Sequence, residues 1–222
     1  MKRMALGLLA LLSASQIAWA EEPRQRVMDI PLDMPMDEPL DGEFLEGIYE
    51  DKLHDILRDS VLIEAPIQHI QSHFTEDRTL ELWFSSKEDG RRVFWARLSQ
   101  SFEHTAMKPE TALANFEATF GKPDKIAQVK GDANASWILL KLDPRLPEGR
   151  RATILKQLDA SFNPTPDQIG NFVFMDMRDR VRLLTPDFRG AAFYLAAFKG
   201  KVSTMQTDLI DMVRAQSVLN LN

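Results

Sequence analysis

Two histidines four residues apart, His69 and His73, are the first pair in this chain whose type and spacing suit chemistry. That interval puts both imidazoles on one face of a helix or a strand, where they can share a zinc or copper ion. The nearest acids that would complete such a site, Glu64, Glu76 and Asp77, stand at no diagnostic spacing, and there is no His-Glu-x-x-His helix. The simpler expectation for the four histidines, His54, His69, His73 and His104, is therefore a surface or half-buried position.

Methionine supplies a second metal reading. Met34-x-Met36 and Met175-x-Met177 each set two thioethers two residues apart, and soft sulfur selects Cu(I). The second pair lies in the apolar run Phe172-Val173-Phe174-Met175-Asp176-Met177, where methionine fills core gaps; the first has no evident core role and is the stronger candidate.

Other chemistry is sparse. The chain has no cysteine, which excludes thiol nucleophiles, redox pairs, iron–sulfur clusters, cysteine-ligated zinc and a lipidated cysteine. Nor does it contain Gly-x-Ser-x-Gly, Ser-x-x-Lys, a Walker loop or Gly-x-Gly-x-x-Gly. Asp37 to Gly42 resembles the start of a calcium loop, but Pro39 and Ile48 occupy positions that need oxygen ligands. Asp176 and Asp179, alternating with Arg178, Arg180 and Arg182, read as a salt-bridged turn or exposed strand edge rather than an acid–base pair. The other basic clusters, Arg91-Arg92 and Arg150-Arg151, are short and balanced by acids, which argues against a nucleic-acid footprint.

The elements that must position these residues begin with an address. Met1-Lys2-Arg3, an apolar run from Met4 to Leu12, and Ala18-Trp19-Ala20 before Glu21 have the form of a signal peptide over residues 1–20. The run is about half the ~20 residues a membrane span needs, and no later stretch approaches that length. The expectation is a periplasmic chain starting at Glu21, with no membrane span after cleavage.

Charge is uneven over the 222 residues. The net value is −6, and residues 21–51 alone hold eleven acids against two bases. Within that stretch Pro31, Pro35 and Pro39 recur every four residues, so residues 21–42 read as an extended, mobile, acidic arm. It would be a solvated leader, or a strap for a basic partner, and dispensable for folding.

Residues 43–222 read as one α+β globular domain, antiparallel hairpins packed with helices. Phe44, Ile48, Leu53, Ile56 and Leu57 predict a helix over 43–58, and Val61 to Ala65 a strand. Leu80, Leu82 and Phe84 alternate with polar residues or Trp83 before Lys87-Glu88-Asp89-Gly90, and Val93 to Leu98 alternates again: a hairpin with Leu82 and Phe84 facing Phe94, Ala96 and Leu98. Glu81 and Trp83 fall on the opposite face, which is either a binding surface or, the favoured expectation, covered at Trp83 by a second layer, with Glu81 exposed. Pro109 opens a helix whose face carries Leu113, Phe116 and Phe120, and Gly121-Lys122-Pro123 ends it. Strands follow at 125–129 and 136–142, and residues 147–158 suit either a helix or a strand. Finally, Asp77-Arg78 with Leu80-x-Leu82 is echoed by Asp179-Arg180 with Val181-x-Leu183. Phe94-Trp95 precedes Pro109 by nearly the interval at which Phe193-Tyr194 precedes Thr207, where a second helical face starts. Two ββα pseudo-repeats would account for this.

The missing catalytic motifs favour an exported, non-enzymatic binding or adaptor protein working with a ligand or a periplasmic protein partner and needing no cofactor. The alternative is a periplasmic copper- or zinc-binding protein using His69, His73, Met34 and Met36.

Overall fold

The computed structural model describes residues 25–27, 30–35, 61–65, 67–75, 78–102, 107–175 and 177–219, with backbone placement alone from 61 to 78. The 1–20 signal segment, the 43–58 helix and Met36 lie outside the described residues.

An antiparallel sheet of eight strands forms the centre. In chain order these are β3 (Val61–Ala65), β4 (Ile67–Thr75), β5 (Arg78–Phe84), β6 (Val93–Ser101), β7 (Lys125–Lys130), β8 (Asn134–Leu142), β9 (Arg189–Phe198) and β10 (Lys201–Asp211). Across the sheet they run β3-β4-β5-β6-β10-β9-β8-β7. A separate two-stranded ribbon, β1 (Arg26–Val27) with β2 (Ile30–Pro31), comes from the acidic segment.

Both sheet faces are covered, which is why β6, β8 and β9 carry runs of consecutive buried residues instead of clean alternation. One face, with Leu80, Leu82, Phe84, Ala96, Leu139, Phe193 and Leu209, packs against α1 (Pro109–Phe120) and the N-terminal ribbon. The other, with Trp83, Phe94, Trp95, Ile138, Leu140, Tyr194 and Ile210, packs against α2 (Glu148–Ser161), α3 (Pro166–Gly170), a 3-10 turn at Phe172–Phe174, and α5 (Met212–Leu219). A short helix α4 (Met177–Leu183) completes the long connection from β8 to β9.

The β5–β6 hairpin has the expected register, Leu80 opposite Leu98 and Leu82 opposite Ala96. A bulge between Trp83 and Phe84 then sets Phe84 opposite Val93, so Phe94 belongs to the second face and not to the first. Trp83 is covered, as expected. The 147–158 ambiguity resolves as helix, with Ile154 and Leu158 buried. Two positions depend on glycine. Gly200 and Lys199, both at positive φ, form the two-residue turn between β9 and β10. At Gly190 a Cβ would stand 2.1 Å from the Lys141 carbonyl oxygen, because β9 begins against the end of β8 with no room for a side chain.

The proposed pseudo-repeat alignment does not match the elements. Leu80-x-Leu82 lies in a strand whereas Val181-x-Leu183 lies in α4; Pro109 starts a helix whereas Thr207 sits inside β10. The last helix begins only at Met212. The helices that follow β6 and β10 also pack on opposite faces, whereas a two-fold axis through the antiparallel β6–β10 pair would put them on the same one.

The mobile-arm expectation is corrected for its described part. Val27, Ile30, Leu32 and Met34 are each 3% exposed or less, set between the acids and prolines so that one edge of the segment is apolar. Val93 donates to the Met34 carbonyl at 2.8 Å and Asp33 to the Val93 carbonyl at 3.0 Å, while Pro35 bridges Arg92. Proline spacing forbids a helix, but it leaves alternate backbone groups free for such bonds. Removing residues 21–36 is therefore expected to lower the melting temperature by more than about 5 °C, given ~1.5–3 kcal/mol for each large apolar side chain withdrawn from water. Thermal denaturation of the trimmed and full mature chains checks this, and an unchanged midpoint would restore the solvated arm.

Candidate functional site

Below α1 the first sheet face is incompletely filled. A cavity of about 290 Å³ opens there. Ala112, Asn115, Phe116, Thr119 and Phe120 of α1 form its roof, and Leu98 and Gln100 of β6, Met205 and Thr207 of β10, and Phe193 of β9 its floor. Arg26 and Val27 of β1 form a side wall. The helix supplies the roof because residues 112, 116 and 119 or 120 fall on one stripe at helical spacing. The floor residues are cross-strand neighbours, Gln100 with Met205 and Leu98 with Thr207. The Phe116 ring lies 5.1 Å from both Phe120 and Phe193, so one end is a cluster of three aromatic rings. The other described lining residues are the apolar Val27, Leu98, Ala112 and Met205, the neutral polar Gln100, Asn115, Thr119 and Thr207, and Arg26.

Two arginine–carboxylate clusters flank this region on different sides of the sheet. In the first, the fully buried Asp208 accepts from Arg97 Nε at 2.8 Å, Arg180 Nη1 at 2.5 Å and Gln206 Nε2 at 2.8 Å. Arg97 also donates to Glu81 at 3.0 Å and lies over the Trp83 and Trp95 rings. Arg180, completely buried, donates to the Val173 and Met175 carbonyls and stacks on Phe172. Burial alone would raise Asp208, but the adjacent Arg97 and Arg180 charges hold its carboxyl below the usual range. Burial pulls Arg180 down to about 10, which leaves it ionised at neutral pH. Glu81, expected to be open, is thus a partner in this lattice. Arg180, expected on a turn or strand edge, is the anchor that holds α4 and the 3-10 turn to the sheet.

In the second cluster Asp33, with φ 72°, accepts from Arg189 and Arg214. Arg189 also binds Asp143 at 3.0 Å and Asp211 at 2.6 Å, and Arg214 binds Asp89 at 2.7 Å. The clasp ties the N-terminal ribbon to β9 and α5. Burial raises the Asp33 carboxyl, but the Arg189 and Arg214 hydrogen bonds outweigh it and bring the value to about 2. Because the folded value lies below the unfolded one, the stabilisation is complete above about pH 4 and is lost as pH falls toward 2. Asp33→Asn is expected to cost about 1–2 kcal/mol near pH 7, after allowance for its partial exposure, and progressively less below pH 4. Urea midpoints measured across pH check this; a difference that stays constant down to pH 3 would exclude the clasp.

Every described carboxylate with a displaced pKa, Asp33, Glu88, Asp143 and Asp208, is pushed down. That is the direction of saturated ion pairs and hydrogen bonds, opposite to what a general acid needs. His69 and His73 occupy β4 positions opposite Trp83 and Thr79 of β5. Met34 is 2% exposed within the core, so its thioether has the packing role that the sequence reading did not find. Met175 packs half-buried against the second core. Among the described residues no group of three His, Asp or Glu side chains comes together to hold a metal ion, and no helix is long and apolar enough to cross a membrane.

Sequence reading identified the α1 face but not the cavity, since a void depends on how far the helix stands from a sheet distant in sequence. Arg26 carried no signal beyond being one of two bases among many acids. No family model, curated protein or solved structure matches the chain.

Proposed function

We propose that the chain is an exported, non-enzymatic binding protein whose ligand occupies the cavity between α1 and the sheet. The observation that carries this reading is the cavity itself: an open, partly aromatic space with a few neutral hydrogen-bonding groups at its edge, the usual composition of a small-molecule site. Residues 1–20 would direct the chain to the periplasm and be removed before Glu21, where N-terminal sequencing of the periplasmic fraction should find the mature start. A chain retaining Met1 and fixed in the membrane would overturn that part.

The ligand-site reading is tested with 4-phenyl-1-butanol, a neutral molecule with an aryl group and one hydrogen-bonding end. It should raise the melting temperature of the mature chain in a concentration-dependent way. Thr119→Trp, at an exposed roof position, should block the effect by filling the opening without touching the core. An equal shift in both proteins would place the binding elsewhere. The alternative, a copper- or zinc-binding protein, keeps the His69 and His73 spacing in its favour, and calorimetric titration with Zn(II) and Cu(I) tests it.

A further inference from the structure

We propose that the cavity selects a small amphiphilic carboxylate, an aryl- or alkyl-bearing acid of about a dozen non-hydrogen atoms, whose charged end is met by Arg26 of the N-terminal ribbon. This rests on the cavity being the ligand site. Size sets the first limit, since a cavity of ~150 Å³ accommodates benzene and this one is about 290 Å³. Shape and surface set the second: the ring cluster around Phe116 suits a flat or flexible apolar body.

Charge decides the class. Among the described residues Arg26 is the one charged side chain lining the cavity. It has no carboxylate partner among the described residues, where Arg97, Arg180, Arg189 and Arg214 all bind acids. Among the described lining residues there is a guanidinium and no carboxylate, so a carboxylate ligand meets a partner suited to it and an ammonium ligand does not. Arg26 is also held in place beforehand. It pairs with Pro31 in the ribbon, and the Asp33 clasp a few residues on fixes that ribbon to Arg189 and Arg214. Little ordering of the ribbon then remains to be done when the acid binds.

The test compares 4-phenylbutyrate with 4-phenyl-1-butanol by isothermal titration on the mature chain, in wild type, Arg26→Gln, Arg26→Lys and Thr119→Trp. Wild type should bind the acid about 5-fold more tightly than the alcohol, the range of a partly exposed charge pair. Arg26→Gln should erase that preference while leaving the alcohol within about 2-fold, and Arg26→Lys should retain part of it; raising salt should act as Arg26→Gln does. Equal affinity for acid and alcohol in wild type, or a preference for the acid that survives Arg26→Gln, would overturn the carboxylate inference and leave the cavity reading standing. Binding of neither probe, or binding of both unaffected by Thr119→Trp, would instead overturn the cavity reading itself.

Discussion

Replacing Arg180 with alanine should lower the unfolding free energy by about 3–5 kcal/mol, because it removes one partner of a buried ion-pair cluster and leaves Asp208 and Glu81 to share the single Arg97 charge. Asp208 would retain Arg97 and Gln206, yet it lies at 0% exposure and could not turn to water. The Val173 and Met175 carbonyls would lose their donor at the same time, releasing the 3-10 turn and α4 from the sheet. Converting the pair together, Arg180→Met with Asp208→Asn, should cost markedly less than the sum of the single changes, since no unbalanced charge stays inside. Denaturant titration of the four proteins gives the coupling directly. A loss under about 1 kcal/mol for Arg180→Ala would mean that water reaches Asp208 and that the segment is not anchored there.

Phe84→Ala should also cost about 3–5 kcal/mol, through lost burial and the cavity left behind. Phe84 is fully buried beneath the N-terminal ribbon face, in the strand that the Trp83–Phe84 bulge re-aims. The companion change, Glu81→Ala, looked harmless from strand alternation alone. In the folded protein it takes from Arg97 a partner at 3.0 Å in a half-closed site, so a cost of about 1–2 kcal/mol is expected. Chemical denaturation of both variants ranks them, and a Phe84→Ala cost below that of Glu81→Ala would reverse the face assignment of β5.

Local pattern was enough for the elements whose cause is local. Val61–Ala65 before Pro66, the β5 and β6 alternation, and the helix from Pro109 to Phe120 all follow from periodicity and from proline and glycine punctuation. The errors came where a local rule met a tertiary contact. Acid and proline argued for a free arm, but the apolar residues between them found a sheet face to cover and Asp33 found two arginines. Leu209 and Met212 share helical spacing, yet pairing with β6 and β9 kept residues 201–211 extended. Ladder hydrogen bonds on both sides outweigh a propensity difference of a few tenths of a kcal/mol per residue.

By itself the sequence determined an α+β domain, its hairpin register as far as the Trp83–Phe84 bulge and the α1 face, because periods of two and of 3.6 residues are written along the chain. Tertiary structure alone decided which arginine meets which acid. Arg180 and Asp208 are joined across 28 positions, and Asp33 and Arg214 across 181. It also decided that α1 stands off the sheet far enough to leave a cavity with Arg26 at its wall. Ion pairing and packing density depend on distances in space, and a void is the failure of two surfaces to meet, which no pattern within either surface records.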